Sequence, residues 1–281
     1  MFDSAEMAAE TYTHGHPASV LRAHGARTAA SSAGYLLGHL RHGDRLLDVG
    51  CGPATITLGL AARVAPGEVV AVDGATAAVH AAASTVAAAE AAGEIEPEQV
   101  LVRAADAYAL PFDDDSFDVV HAHQVLQHLA RPVDALAEWR RVCRPGGIVA
   151  VRDADYAAMT WWPATPALDR WLALYRAAAI ANGGEPDAGR RLLSWALAAG
   201  FDVERIEPSA GTWCYATPSE RARWAETWAE RISRTVLAEQ LVAAGLADQH
   251  ELDGIAAAWH RWAEDPAAWF IVPNGELILR A

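Results

Sequence analysis

The sequence contains no lysine: all 22 of its cationic residues are arginine, and they form no run or cluster. Phosphate backbones are gripped by clustered Lys and Arg. With a net charge of −14, the chain is therefore not expected to act on nucleic acid, and an anionic membrane surface is disfavoured for the same reason. Cysteine is scarce. Cys51, Cys143 and Cys214 are far apart and odd in number, which implies no disulfide framework and fits a reducing cytoplasm. No apolar stretch reaches the ~18 residues needed to span a bilayer. The opening segment Met1–Glu6 has neither a basic start nor an apolar core, so no signal peptide is expected. No internal repeat or low-complexity linker is evident.

What is present suits a globular protein. Of 281 residues, 52% are hydrophobic and 21% charged, enough for a sizeable core with one domain and a helical elaboration. The organising stretch is Leu46-Leu47-Asp48-Val49-Gly50-Cys51-Gly52-Pro53-Ala54-Thr55. An apolar run ends in two glycines one residue apart, and a helix-like segment follows. That is the pattern of strand, tight turn and helix, with the helix N–H groups aimed at whatever sits above the turn. About 20 residues on, Val69-Val70-Ala71-Val72-Asp73 is a second apolar run ending in an acid. A carboxylate there can accept both hydroxyls of a ribose. The dinucleotide fingerprint would place a third glycine at position 55, where Thr55 stands, which argues against an NAD-linked oxidoreductase. Cys51, inside the turn, reads as a small residue rather than a nucleophile.

Asp48-Val49-Gly50-Cys51-Gly52-Pro53 resembles the first motif of class I S-adenosylmethionine-dependent methyltransferases. Further motifs follow in that family's order: Asp73, Asp106-Ala107, Leu110-Pro111-Phe112, Ser116 to Val120, Leu126-Gln127-His128-Leu129, and Arg144-Pro145-Gly146-Gly147. The likeness is strongest to the small-molecule methyltransferases of ubiquinone and menaquinone biosynthesis, and it covers positions 40 to 155. The resemblance implies S-adenosyl-L-methionine as the methyl donor. It implies that Gly50 and Gly52 back the methionine part, with Asp48, Cys51 and Pro53 in the same turn. Asp73 and Gly74 would hold the ribose, Asp106 and Ala107 would meet the adenine, and His121 and His123 would stand at the next strand tip. An N-terminal segment often covers the donor in this family, and Tyr12 is the candidate for that contact here.

Apolar runs alternate with helical segments through residues 44–153, as in a parallel sheet covered on both faces. The expected fold is α/β: a Rossmann-like, doubly wound, mostly parallel seven-stranded sheet. N-terminal helices would precede it, and a helical insertion would come before the last strand. The expected divisions are a helical lid at 1–43, the donor-binding core at 44–216, a substrate-side helical insertion at 217–265 and a final strand at 266–281. Strand five is expected at Ile148 to Arg152 and strand six at Phe201 to Ile206. Thr217-Pro218-Ser219-Glu220 is a capping box that opens a helix running to about Ala244, and Asp248 with Glu251 marks a further start. Trp269 to Val272 and Glu276 to Leu279 offer the final strand.

All eleven tryptophans lie at or beyond Trp139. Trp224 and Trp228, and Trp259 and Trp262, are spaced to share helix faces. Core packing explains each one singly, while the group suggests an apolar, aromatic substrate pocket. Methyl transfer from a sulfonium is an in-line displacement that mainly needs alignment and desolvation. A base is needed only where the acceptor must lose a proton. The candidates are His128, Asp153 and His123, with Asp155, Tyr156, His14 and His16 behind them. No further ligand lies near His14 and His16 at a diagnostic spacing, so no metal is expected. The expected function is cytoplasmic methyl transfer to a small, largely apolar molecule, with secondary metabolism one setting and a homodimer left open. The rival with the same donor is recruitment to cyclase-type chemistry.

Overall fold

The computed structural model describes residues 27–281. Five parallel strands make the first half of the sheet: β1 (Leu46–Val49), β2 (Val69–Asp73), β3 (Val100–Ala104), β4 (Phe117–His123) and β5 (Cys143–Ala154). Their spatial order is β3-β2-β1-β4-β5. Leu46 of β1 faces Val69 of β2 on one side and Val119 of β4 on the other. Side chains alternate across a strand. Leu46, Val69 and Ala71 therefore enter one apolar cluster, while Leu47, Val70 and Val72 enter another. The first cluster is closed by α1 (Ala29–Ser32), α2 (Gly34–Leu37), α3 (Thr55–Val64) and α4 (Thr76–Ala91). The second is closed by α5 (Pro132–Val142) and, later in the chain, by residues 192–198.

The order reverses between β1 and β4, so a crevice opens at the carboxyl ends of these strands, where ligands of such sheets bind. Beyond β5 come β6 (Thr160–Trp162), α6 (Pro166–Ala181), α7 (Leu192–Ala198) and β7 (Ile206–Tyr215). Then follow α8 (Pro218–Arg234), α9 (Val236–Ala243), α10 (Gln249–Glu264) and β8 (Trp269–Arg280). β8 runs antiparallel to β5 through Ile148–Ala154, to β7 along nearly its whole length, and to β6 at its start. The sheet thus has the expected seven strands plus the three-residue β6. Helices α6, α8, α9 and α10 bury a third cluster around Trp171, Trp228, Trp259 and Phe270.

The helix starts stand where expected. The Thr217 hydroxyl accepts from Glu220 N while the Glu220 carboxylate accepts from Thr217 N, and Asp248 accepts from Glu251 N. Three boundaries differ. The helix opened at Thr217 breaks at Thr235, which is extended (φ −119°) and whose hydroxyl accepts from Leu237 N to start α9. Strand six lies at Ile206–Tyr215 rather than Phe201 to Ile206. Phe201 is a buried plug in the second cluster, and a short 3-10 turn, Val203–Arg205, follows it. β5 begins at Cys143, so Arg144-Pro145-Gly146-Gly147 lies within the strand, and the ladder to β4 shifts register between Phe117 and Val119. The two final segments form one strand that continues through Pro273. Among the described residues, no helix is long and apolar enough to cross a membrane.

Candidate active site

Gly50 carries φ +68°, and a Cβ there would meet Val125 Cγ2 at 2.4 Å. The position therefore needs glycine on two counts, conformation and space. Gly52 (φ +54°) and Ala54 (φ +63°) are also left-handed, which curls the backbone between β1 and α3 into an open cradle. Gly50 N and Cys51 N both donate to Val72 O, at 2.8 and 3.0 Å, and so tie the turn to β2. Asp73 at the tip of β2 braces it from the other side. One of its oxygens accepts from Gly52 N at 3.0 Å and the other from Ala75 N at 2.9 Å. Asp106 folds its own loop by accepting from Tyr108 N at 2.9 Å, while Trp139 Nε1 donates to Ala107 O at 3.0 Å.

These groups share one cavity of about 1660 Å³. Asp48, Gly50, Cys51, Gly52, Pro53, Asp73, Gly74, Asp106 and Ala107 line its one side, with His123 and His128. Burial, then the carboxylates of Asp48 and Asp73, push the Cys51 thiol well above its ordinary value, so it keeps its proton. The cavity also has an aromatic lining: Tyr156, Trp213, Tyr215 and Trp224. Tyr215 and Trp224 stack at 4.3 Å, and the His123 ring tilts against Trp213 at 5.4 Å.

Two expected site residues do not line the cavity. His121 is fully buried, its Nδ1 2.8 Å from Asp48 Oδ1. It lies two residues below the tip of β4, about 7 Å deeper at the rise of a strand. Asp153 is likewise fully buried, and it accepts from the backbone N–H of Gln127 and Leu126. It anchors the 3-10 turn Leu126–His128, and burial raises its carboxyl to about 8. Asp155 is held by Arg190 through two bonds of 2.6 and 2.7 Å and also stays outside the lining. Of the paired tryptophans only Trp224 faces the cavity; Trp228, Trp259 and Trp262 are core. Tyr12, His14 and His16 lie outside the described residues.

His128 does reach the wall, where Gln127 Nε2 donates to its Nε2 at 2.9 Å. Burial, then the cations of Arg27 and Arg231, lower its pKa to about 3. It is neutral at ordinary pH and a weak base. Gln124, expected at the tip of strand four, lines the cavity, whereas sequence reasoning did not single out Arg27, Trp213 or Arg231. Arg27 Nη2 donates to Gln124 Oε1 at 2.8 Å, and its guanidinium lies 4.9 Å from the centre of the Trp213 ring. For Arg231 a signal existed in the three-to-four spacing that places it with Ala225, Trp228 and Ile232 on the buried face of α8.

A doubly wound sheet with a glycine cradle, an acid on the next strand tip and a large adjoining pocket is the arrangement of a protein that binds a nucleoside-containing ligand at the switch point of its sheet. The methyltransferase-domain family profile matches residues 47–151. An uncharacterized methyltransferase of Schizosaccharomyces pombe is 34% identical over 270 residues, 96% of each chain. A demethylmenaquinone methyltransferase of Symbiobacterium thermophilum is 36% identical over 110 residues, 39% of this chain and 42% of that one. Among solved structures, the YcgJ protein of Bacillus subtilis aligns with a TM-score of 0.54 at 19% identity, over 88% of this chain and 97% of the other. The [4+2]-cyclase SpnF aligns at 0.51 and 22%, over 89% and 84%. The chain belongs to the class I S-adenosylmethionine-dependent methyltransferases.

Proposed function

We propose that this methyltransferase acts on a small, largely apolar acceptor seated against Tyr156, Trp213, Tyr215 and Trp224. The observation that carries the reading is the single cavity that runs from the glycine cradle and Asp73 to that aromatic wall. The cradle suits the donor: the left-handed turn at Gly50 and Gly52 lines the cavity, and Asp73 keeps lone pairs for ribose hydroxyls after accepting its two N–H bonds. Asp106 keeps an oxygen for an exocyclic amine, and Ala107 lies beside it. S-adenosylmethionine, when bound, supplies a methyl carbon that is already activated. The chain's residues then have to align the acceptor and exclude water. His123, between cradle and wall, is placed to orient the acceptor. A weakly basic His128 implies an acceptor atom that is nucleophilic before it enters. In this reading residues 27–43 belong to the helical lid expected at 1–43, whose first 26 residues lie outside the described ones, and the insert at 217–265 provides the acceptor side.

Calorimetric titration with S-adenosylmethionine, S-adenosylhomocysteine and NADH in parallel tests the donor half. Binding of the two sulfur nucleosides alone is expected; binding of NADH alone would overturn it. Release of S-adenosylhomocysteine in an acceptor screen separates methyl transfer from cyclase-type use of the same fold.

A further inference from the structure

Among the described residues three arginines are almost wholly buried: Arg152 at 2% exposure, Arg231 at 5% and Arg221 at 6%. A buried guanidinium is costly unless its donors are met. Arg152 meets the carboxylate of Glu276 at 2.9 Å and lies over the Trp213 ring. Arg221, on the same helix as Arg231, donates to the carbonyls of Ala216, Ala263 and Ala268. Arg231 differs from both. Its Nε is buried with no acceptor, and no oxygen among the described residues accepts from its guanidinium. Its one neighbour of that kind is the Trp228 ring, 5.0 Å away. Arg231 also lines the cavity, and its charge is felt by His128, Tyr156 and Tyr215.

A fixed cation, desolvated and aimed into an aromatic pocket without a counter-ion, is a binding group awaiting its partner. The described residues supply none: among those lining the cavity, Glu220 caps α8, and no ion pair joins Glu226 to Arg231. We propose that Arg231 anchors an anionic oxygen of the methyl acceptor, a carboxylate or an ionised phenol or enol, while the acceptor's apolar body packs on Tyr215 and Trp224. This rests on the acceptor half assigned above. It also completes it, because an acceptor held as an oxyanion needs no strong base in the wall. Arg27 cannot play the part as well, since its guanidinium is already engaged by Gln124 and Trp213.

The probes are benzoate and its uncharged isostere benzamide, titrated calorimetrically into the protein with and without saturating S-adenosylhomocysteine. Benzoate should bind the wild type on the order of tenfold more tightly or better, the usual scale of a charge-assisted bond. Arg231→Gln should level the two. Arg231→Met is the second neutral variant, and it should fold at least as well because it removes an unpaired buried charge. Equal binding of both probes to the wild type, no binding of either, or a preference that survives in the neutral variants would overturn the proposal. Failure of the donor reading is distinguishable: S-adenosylhomocysteine would then not bind the wild type, whatever the benzoate preference.

Discussion

His121 Nδ1 sits 2.8 Å from Asp48 Oδ1 beneath the glycine cradle, and both side chains are buried. Thr57 Oγ1 donates to the second Asp48 oxygen at 2.6 Å. The three residues belong to β4, β1 and α3, so the network clamps the first βα unit to its neighbour strand. His121→Leu strips one donor from a buried carboxylate and should cost about 2–3 kcal/mol of stability. Urea unfolding measures it; a loss under about 0.5 kcal/mol would mean that the clamp is dispensable.

Asp73 braces the cradle and lines the cavity at once. Asp73→Ala should weaken S-adenosylmethionine binding on the order of tenfold or more, because both the ribose contact and the brace on Gly52 go. Isothermal titration reads the change, and unchanged affinity would remove Asp73 from the donor site.

The carboxyl of Asp153 titrates at about 8 in the folded chain, against an ordinary value of 3.8. Below about pH 4 it is protonated folded or unfolded, and its stabilising contribution is complete. Between there and about pH 8 only the folded state holds the proton, so stability falls as pH rises, and above that the contribution is flat. Asp153→Asn keeps an acceptor for Gln127 N and removes the titration. The variant should therefore gain on the wild type steadily from pH 4 to pH 8. Melting curves across that range check it, and a constant gap would refute it.

Trp171 is wholly buried, with Trp228 at 4.5 Å and Trp259 at 4.9 Å between ring centres. Trp171→Ala should cost about 3–5 kcal/mol through the cavity it leaves. Trp162, 57% exposed, should cost under about 1 kcal/mol when changed to alanine. Comparable losses from both would show that the third cluster is not what holds the helical layer.

The cradle was legible because its requirements are local. Gly50 and Gly52 must be glycine for backbone reasons, and Asp73 and Asp106 stand at the ends of apolar runs. Depth and direction were not legible. Asp153 and His121 were correctly put on strands, but sequence spacing does not say that one side chain turns under the Leu126–His128 turn or that the other is a layer too low. β7 was misplaced because nearly all of its length is exposed or half-exposed, with Glu207, Pro208 and Ser209 in its first half. It carries little apolar periodicity and is defined by its partner β8. The buried position of Arg231 could be read from the helical period of α8; its want of an acceptor depends on residues distant in sequence.

Tyr215 and Phe270 are cross-strand partners, the points where the chain leaves the sheet and returns to it. Everything between them, including the cavity wall built by α8, is a loop whose ends are already joined. For such a loop the closure entropy grows only as the logarithm of length, about 0.6 kcal/mol for each doubling. Added length at the turns that join α8, α9 and α10 is therefore cheap in closure entropy, and none of those turns belongs to the cradle on β1 and β2. The sheet separates the cradle from the segment that can lengthen, so a longer turn there need not trouble the backbone around Gly50 and Gly52.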